Sequence, residues 1–227
     1  MRIELNDLTK RFGAVQALAG VTLDVASGER VALVGPNGSG KSTLLRAVMG
    51  MLRCEGTVRL DGRDPFEHLT RLASHVAYVP QIAPRLGATV GEVARAVAAV
   101  RGLDLRAIRD TAHEIRLDLD ALQRRPVRAL SGGMKQKLLI ALALAAPVSL
   151  LIMDEPTASL DGDAREAFFR LFAERAAGAT LLLSSHRLDE VRRLVHRVVV
   201  LEGGRTIRDT PVDAPEVTEC LEWRWAS

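Results

Sequence analysis

The loop Gly35-Pro36-Asn37-Gly38-Ser39-Gly40-Lys41-Ser42-Thr43 lies between a predicted strand and a predicted helix. The residues before it, Val31-Ala32-Leu33-Val34, form the short apolar run of a buried strand, and those after it, Leu44-Leu45-Arg46-Ala47-Val48-Met49, favour a helix. Glycine permits the tight turns that point successive backbone N–H groups at phosphate oxygens, and the N-terminus of the following helix attracts the same anion. The pattern therefore predicts a phosphate-binding loop.

Two side chains of this loop make the prediction more specific. Lys41 is placed to reach the β- and γ-phosphates of a nucleotide, and Ser42 offers a hydroxyl to Mg²⁺. The alternative is a glycine-rich turn with no ligand, which is disfavoured because so long a match between a strand and a helix is rare by chance. We expect the chain to bind a nucleoside triphosphate.

Composition and charge are those of a globular chain in a reducing compartment. The chain has 227 residues, of which 48% are hydrophobic and 26% charged, and its formal net charge is +3. Its longest apolar run, Leu138 to Ala146, is well short of the ~18 residues of a membrane span, and its N-terminus lacks the apolar segment of a signal peptide. Cys54 and Cys220 show no metal-binding spacing. Mixed charges indicate solvated faces before a lipid or nucleic-acid surface, so we expect a cytoplasmic protein.

Strand and helix patterns follow in the order of a mixed α/β protein. The N-terminal region predicts half-buried antiparallel strands at Ile3–Leu5 and Val21–Val25, and a strand that ends in a tight turn at Gly56–Leu60. Helical spacing dominates from Thr89 to about Gln123, which predicts a helical insertion. One apolar face of it is marked by Val90, Val93, Ala94, Val97 and Val100. From Leu150 onward strands and helices alternate, which predicts a parallel sheet covered by helices.

An acidic pair closes one of the predicted buried strands. Leu150-Leu151-Ile152-Met153 is followed by Asp154 and Glu155, at the carboxyl end of a strand, where sites form in open α/β sheets. Asp154 would hold Mg²⁺, directly or through water, and Glu155 would polarise the water that attacks a γ-phosphate. The pair also suits an ordinary turn, but beside a phosphate loop it is what nucleotide hydrolysis requires.

A second glycine turn, Ser131-Gly132-Gly133, opens another predicted helix. It presents backbone N–H groups and a hydroxyl together, as an anion-binding helix N-terminus does. Taken alone, an N-capped helix without a ligand is the better interpretation. The order along the chain makes the turn informative, because it stands between the phosphate loop and the acidic strand.

With these elements in this order, the chain resembles the nucleotide-binding domain of ATP-binding cassette (ABC) ATPases, from residue 2 to about residue 210. The resemblance identifies Gly35–Thr43 as the Walker A loop and Leu150–Glu155 as Walker B. It identifies Ser131-Gly132-Gly133 as the signature motif, which in that family contacts the γ-phosphate bound to the opposite subunit. The implied fold class is α/β, with a P-loop NTPase (RecA-like) core, an N-terminal antiparallel β-subdomain and a helical insertion subdomain.

Four single residues take on a role only through this resemblance. Gln81 matches the Q-loop glutamine, which senses Mg²⁺ and water and couples to the membrane partner, and His186 matches the switch histidine that holds the γ-phosphate. Asp161 belongs to the match to the D-loop, Ser159-Leu160-Asp161. Phe12 matches the aromatic residue that stacks on adenine. Without the resemblance, His186 would be a structural histidine, Phe12 an ordinary aromatic and Gln81 a polar loop residue.

The resemblance also implies the domain limits, the ligands and the site residues. Residues 1–210 would form the ATPase domain, with the helical subdomain inserted at about 85–145, and 211–227 a C-terminal tail. The ligands would be ATP and Mg²⁺. The implied catalytic residues are Glu155, His186 and Gln81, and the implied Mg²⁺ ligands are Ser42, Gln81 and Asp154. The implied ATP-binding residues are Phe12, Gly35, Pro36, Asn37, Gly38, Ser39, Gly40, Lys41, Ser42, Thr43, Ser131, Gly132, Gly133 and Asp161.

Partners follow from the same resemblance. Two copies, or this chain and a related ATPase, would associate head-to-tail with ATP between them, and transmembrane permease subunits would dock near Gln81 and the helical insertion. The chain would then be peripheral on the inner face of the cell membrane, with no nucleic-acid partner. The stretch Ser131-Gly132-Gly133-Met134-Lys135-Gln136 is similar to stand-alone ATPases of exporters, so we expect export before import.

Two departures and two alternatives accompany these expectations. Met134 stands where the signature motif usually has glutamine, which should weaken a polar contact on the ribose side but leave ATP binding intact, and Gly162 replaces a commoner proline.

A soluble ABC-type ATPase acting on ribosomes or nucleic acid usually has two cassettes or a long coiled coil, for which Thr43 to Leu130 leaves no room. A generic P-loop kinase or GTPase gives no reason for the signature turn. The transported substrate is not encoded in these motifs.

Overall fold

The computed structural model describes residues 1–215, 217 and 218, and they divide into two compact units. The first unit comprises Met1–Leu72 and the described residues from Ala179 onward, and the second comprises Ala73–Gly178. The predicted limits, 1–210 with an insertion at about 85–145, stay a prediction. Most of the predicted tail from residue 211, with Cys220, lies outside the described residues.

Strands and helices are numbered here in chain order. The strands are β1 (Ile3–Phe12), β2 (Val15–Val25), β3 (Arg30–Val34), β4 (Glu55–Leu60), β5 (Val76–Val79), β6 (Leu150–Asp154), β7 (Thr180–Ser184), β8 (Arg197–Glu202) and β9 (Arg205–Pro211). The helices are α1 (Lys41–Val48), α2 (Leu69–Leu72), α3 (Val90–Arg101), α4 (Leu105–Glu114), α5 (Leu119–Leu122), α6 (Gly132–Leu144), α7 (Gly162–Arg175) and α8 (Leu188–Leu194).

The N-terminal strands of the first unit form an antiparallel sheet in the order β2-β1-β4. Ile3 pairs with Val25 on one side and with Leu60 on the other, and all three side chains are buried. Alternation of apolar and polar residues places one face of such a sheet in the core and leaves the other to solvent. The predicted antiparallel subdomain is confirmed.

A second set of strands in the first unit carries β3 at its centre. β3 lies between β7 and β8, parallel to both, and β9 returns antiparallel to β8 through the turn at Gly203 and Gly204. β3 and β7 are buried almost throughout because both of their faces are covered, as continuous apolar runs in parallel sheets require. The predicted α/β fold class is confirmed.

The second unit is built around α6, which packs against β5, α4 and α7. Its sequence is apolar nearly all round, as expected for a helix surrounded by other elements. β5 and β6 run parallel and adjacent, with Val79 opposite Met153. The C-terminal end of α6 is closed by Arg101, whose guanidinium donates to the carbonyls of Leu142, Ala143 and Ala146 at 2.6, 3.1 and 3.1 Å. Burial lowers the pKa of this guanidinium from its usual value.

Helix α3 differs from the single apolar face predicted for it. Val90 and Ala94 are buried in the second unit, whereas Val93, Val97 and Val100 line an open cavity, and Val100 is 61% exposed. The apolar positions cover more of the helix circumference than its packing inside the unit uses. A strip of valines therefore remains accessible.

An arginine on β8 joins several segments of the first unit. Arg197 donates to both carboxylate oxygens of Asp209 at 2.6 Å, and to Glu29 and the Asp24 carbonyl at 2.9 Å. The hydrogen bond with Asp209 is the main reason that the pKa of Arg197 is raised, and Glu29 adds to it. Charge-assisted, bidentate pairs of this kind are the strong ones.

We predict that Arg197→Met lowers the free energy of unfolding by about 2 kcal/mol, because two partly buried carboxylates and a carbonyl lose their donor. Arg2→Met is the matched control. The side chains of Arg2 and Asp24 are both more than half exposed in their ion pair, and such pairs contribute about 0–1 kcal/mol. Urea denaturation measures both variants, and equal losses would contradict the assignment.

Candidate functional site

The glycine-rich loop is in direct contact with backbone on two sides. Gly35 has φ +149°, and a Cβ there would lie 2.0 Å from the Leu201 carbonyl oxygen. Gly40 has φ +107°, and a Cβ there would lie 2.4 Å from the Ala17 carbonyl oxygen. Neither position has the space or the backbone conformation for a side chain, so the loop requires glycine at both.

Helix α1 begins at this loop with its first N–H groups uncapped by a side chain. Its N-cap is Gly40, whereas α3 to α7 each begin with a side chain that accepts a hydrogen bond from the first turn. The positive end of the helix dipole and N–H groups that no side chain caps favour an anion at this place. The Lys41 ammonium donates to the carbonyls of Gly35 and Pro36 at 2.7 and 2.9 Å. The loop thus has the features of a phosphate cradle.

His186 lies at the same edge of the sheet as this loop. β3 and β7 are parallel neighbours with Leu33 opposite Ser184, the loop follows β3, and exposed His186 follows β7 by two residues. The backbone around it is fixed by buried Ser185, whose hydroxyl donates to Glu190 and accepts from the Arg187 N–H at 3.1 Å. Ser185 and Glu190 belong to no sequence motif, so nothing in the sequence predicts this bond.

Phe12 ends β1 with its ring 49% exposed. The Lys10 ammonium lies 5.5 Å from the ring centroid, a cation–π distance. About half of Phe12 is open to solvent, and stacking on a base requires an accessible aromatic ring.

The acidic residues lie at the corresponding edge of the second unit. β5 and β6 are parallel neighbours, so exposed Gln81, two residues past β5, and the pair Asp154 and Glu155 lie at the same strand ends. Asp154 is 3% exposed. Amide and carboxylate oxygens, like the Ser42 hydroxyl of the first unit, are the donors that Mg²⁺ prefers. Among the described residues no group of three His, Cys, Asp or Glu side chains is placed to hold a metal ion.

The backbone of Glu155 is strained. Its φ is +48°, uncommon for a residue with a side chain, and the following residue is Pro156. Such conformations cost about 1–3 kcal/mol and persist where the surroundings hold them. Ala158 N–H donates to the Glu155 carbonyl at 3.3 Å, and Gln136 Nε2 donates to the Pro156 carbonyl at 3.0 Å. No motif of the sequence predicts the strain at Glu155 or the hydrogen bond of Gln136.

The turn predicted to be the signature motif and the segment predicted to be the D-loop lie against each other within the second unit. Ser131 caps α6 by accepting from the Met134 N–H at 3.3 Å, a contact that does not use the Met134 side chain. A Cβ on Gly133 would lie 3.0 Å from the Ser159 carbonyl, whereas Gly132 has open space. One turn into the helix, Lys137 Nζ donates to Asp161 Oδ2 at 3.0 Å.

Asp161 has a structural role whatever it binds. Its Oδ1 accepts from the Ala164 N–H at 2.8 Å and so caps α7. This backbone hydrogen bond, and after it the bond from Lys137, lowers the pKa of the Asp161 carboxyl below its usual value. Both hydrogen bonds are stronger to the ionised carboxylate than to the protonated acid.

Comparison with known proteins agrees with this geometry. The family model described as ABC transporter matches residues 18–158. This chain belongs to that family. The resemblance noted from the motifs is thereby confirmed.

The names of the relatives include both export and import proteins. Nod factor export ATP-binding protein I of Ralstonia nicotianae is 36% identical over 213 residues, which are 90% of this chain and 65% of the relative. Methionine import ATP-binding protein MetN of Rhizobium etli is 35% identical over 222 residues, 92% of this chain and 61% of the relative. The chain thus spans somewhat less than two thirds of the length of these relatives.

Solved structures match nearly the whole chain. An ATP-binding subunit of an ABC transporter superposes with a TM-score of 0.83 at 30% identity, over 96% of this chain and 92% of that one. A dimeric ATP-binding cassette in a post-hydrolysis state with ADP and Pi gives 0.81 at 25% identity, over 93% of this chain and 99% of that one. A bacterial Atm1-family ABC exporter with ATP bound gives 0.82 at 25% identity, over 96% of this chain and 39% of that one. Within the described residues no helix has the length and apolarity to cross a membrane.

We predict that Asp161→Asn destabilises the chain at neutral pH and that the difference disappears in acid. A depressed pKa means that the carboxylate stabilises the folded state above its ordinary pKa, and that this contribution is lost as the pH falls through the lowered value. Asparagine is also a good N-cap, so the substitution removes the charge but keeps a cap. Urea denaturation at pH 7 and at several pH values below 4, where the lowered pKa lies, measures the difference. If the difference stays constant through that acid range, or is unchanged when Lys137 is replaced by methionine, the electrostatic explanation is wrong.

Proposed function

We propose that this chain is the ATP-binding and ATP-hydrolysing subunit of an ABC transporter and that it energises substrate movement through separate membrane subunits. The main support is the uncapped N-terminus of α1 behind a loop that admits only glycine at Gly35 and Gly40. Membership of the family and the acidic end of β6 agree with it. The chain would lie at the inner face of the cell membrane.

ATP binding is proposed for the loop from Gly35 to Thr43 together with Phe12. The loop N–H groups and the first turn of α1 would hold the phosphates, and Phe12 would stack on adenine. Lys41 would exchange its two carbonyl partners for phosphate oxygens, which offer a stronger, charge-assisted bond. Mg²⁺ would neutralise charge on the phosphates. Ser42, Gln81 and Asp154 are the residues proposed to hold it.

Hydrolysis is proposed for Glu155, with His186 holding the γ-phosphate. A carboxylate that accepts a proton from the attacking water makes the water a better nucleophile. Ser131, Gly132 and Gly133 would contact the nucleotide of a second cassette, with Asp161 close by. Two cassettes would then form a closed head-to-tail pair, each completing the site of the other.

A membrane-subunit helix is proposed to dock on the open side of α3. The cavity there has a volume of about 360 Å³ and is almost entirely apolar. Its lining residues come from three elements of the second unit and include Tyr78, Val93, Val97, Val100 and Leu139. Ile82, next to Gln81, is 81% exposed. Apolar surface of this kind marks an interaction site, because leaving it in water is unfavourable.

Export stays the predicted direction on the evidence of the signature stretch, since the relatives are named for both export and import. We also propose that the second cassette of the pair is either another copy of this chain or a related ATPase. Action on ribosomes or nucleic acid is the alternative that the capture experiment below addresses.

We predict that Glu155→Gln lowers kcat for ATP hydrolysis about 10²- to 10⁴-fold while ATP affinity stays within about twofold, because only the proton acceptor is lost. The variant should also accumulate as an ATP-bound pair of cassettes, seen by light scattering. Phosphate release and ATP binding are measured side by side. Hydrolysis at the wild-type rate would disprove the role of Glu155.

Gly132→Ala tests the proposed association of two cassettes. A Cβ there meets nothing within 4 Å, so the chain should fold as the wild type does and bind ATP normally. Loss of hydrolysis and of pairing in this variant would support a nucleotide contact at the signature turn. Unchanged hydrolysis would argue against that contact.

We predict that Val97→Glu abolishes capture of membrane subunits, because docking would bury an unpaired charge at a cost of several kcal/mol, a loss of at least about 100-fold in affinity. Ala99→Glu is the control, since Ala99 is exposed on the same helix outside the cavity. The tagged chain is recovered from detergent-solubilised membranes of its own cells, and partners are identified by mass spectrometry. Polytopic membrane proteins retained by Ala99→Glu and lost by Val97→Glu are expected, and recovery of ribosomes or nucleic acid instead would favour the alternative.

A further inference from the structure

An amide is buried on α6 among apolar side chains. Gln136 is 3% exposed, two residues before buried Leu138 on a helix that is otherwise apolar around most of its circumference. Burying an amide without partners costs about 1–3 kcal/mol in proteins, so such groups are kept where a specific partner needs them. The partner here is the Pro156 carbonyl, which accepts from Gln136 Nε2 at 3.0 Å.

That carbonyl belongs to the residue directly after Glu155. The φ of Glu155 is +48°, and this conformation depends on what holds the loop behind it. Among the hydrogen bonds that restrain this loop are the bond from the Ala158 N–H to the Glu155 carbonyl and the bond from Gln136 to the Pro156 carbonyl. The first is local to the loop, and the second anchors the residue next to Glu155 to a helix.

We propose that Gln136 is a positioning residue, which anchors the Pro156 carbonyl to α6 and thereby fixes the direction of the Glu155 carboxylate. The inference rests on the proposed function of Glu155 as the base. It extends that function, because α6 is also the helix that begins at Ser131 of the signature turn. Helix α6 would therefore contact the nucleotide of the second cassette at its N-terminus, and through Gln136 it would also hold Glu155, which would act on the nucleotide of this chain.

A second tether lies at the far end of the same loop. Lys137 Nζ donates to Asp161 Oδ2 at 3.0 Å, one residue after Gln136 on α6. The Asp161 side chain is 60% exposed, and an ion pair this accessible to water contributes little. The buried bond from Gln136 is therefore the stronger restraint on Glu155.

The hydrogen bond to the Pro156 carbonyl needs a side chain at position 136 that is as long as glutamine and carries a donor. Methionine has the volume of glutamine but no N–H, so Gln136→Met leaves the Pro156 carbonyl without its partner. Glutamate has the shape of glutamine, but an ionised carboxylate would face the carbonyl oxygen, and only the protonated form can donate. Burial raises the pKa of a carboxyl, so protonation of a glutamate here falls within reach of mildly acid buffers.

The test compares Gln136→Met with Thr111→Val. Thr111 is also fully buried in the second unit, where its hydroxyl donates to the Ala107 carbonyl at 2.6 Å and accepts from the Arg175 guanidinium, but it lies on α4, outside the loop from Glu155 to Asp161. Both variants lose buried hydrogen bonds, and urea denaturation measures the stability that each of them loses. Gln136→Met should also lose at least about tenfold in kcat with ATP affinity within about twofold, as small misplacement of a catalytic group does. Thr111→Val should keep kcat within about twofold.

The proposal is overturned if the two variants lose kcat equally or if Gln136→Met lowers ATP affinity in place of kcat. Gln136→Glu provides the second readout and serves if Gln136→Met does not fold. Its kcat relative to wild type should rise at least about threefold between pH 8 and pH 6, and a ratio that does not change with pH contradicts the proposal. Glu155→Gln is measured in parallel. Wild-type hydrolysis in that variant would refute the proposed role of Glu155 itself, which is a different failure from a refuted role of Gln136.

Discussion

The phosphate loop can take its shape only because two pieces of backbone approach it where a side chain would otherwise stand. A Cβ at Gly35 or Gly40 would overlap the carbonyl of Leu201 or Ala17, and both glycines have positive φ. The close approach lets the chain leave β3 and enter α1 with the first N–H groups of the helix uncapped. The positive end of a helix without a side-chain cap is stabilised by an anion, so the packing of the loop and the affinity proposed for phosphate have one origin.

The parallel strands place the other proposed site residues of each unit next to one another. In the first unit β3 and β7 place the loop and His186 at one sheet edge, and in the second unit β5 and β6 place Gln81 beside Asp154 and Glu155. The carboxyl ends of neighbouring parallel strands coincide because the strands run in the same direction and in register. Residues that are far apart along the chain thus become neighbours in each unit.

The loop after β6 shows a tension between stability and the proposed chemistry. Glu155 has an unfavourable φ, while Gln136 gives up its hydration to hold the next carbonyl. Each costs free energy that an ordinary turn and an apolar helix would avoid. The capping of α7 by Asp161 and its bond to Lys137 close the other end of the loop. A loop anchored at both ends keeps a carboxylate in place, which suits a proton acceptor.

The motifs in the sequence were sufficient to predict the α/β class, the N-terminal antiparallel sheet, the strand before Lys41 and the strand that ends in Asp154. Each of these depends on local signals, namely alternation, apolar runs and glycine spacing, which act over a few residues. Gln136, the Ser185–Glu190 bond and the open valine strip on α3 were decided by tertiary structure alone. A buried polar residue looks the same in sequence as an exposed one, and an apolar helix face does not reveal which part its neighbours will cover. The partner that meets each side chain comes from another part of the chain, and only folding brings the two together.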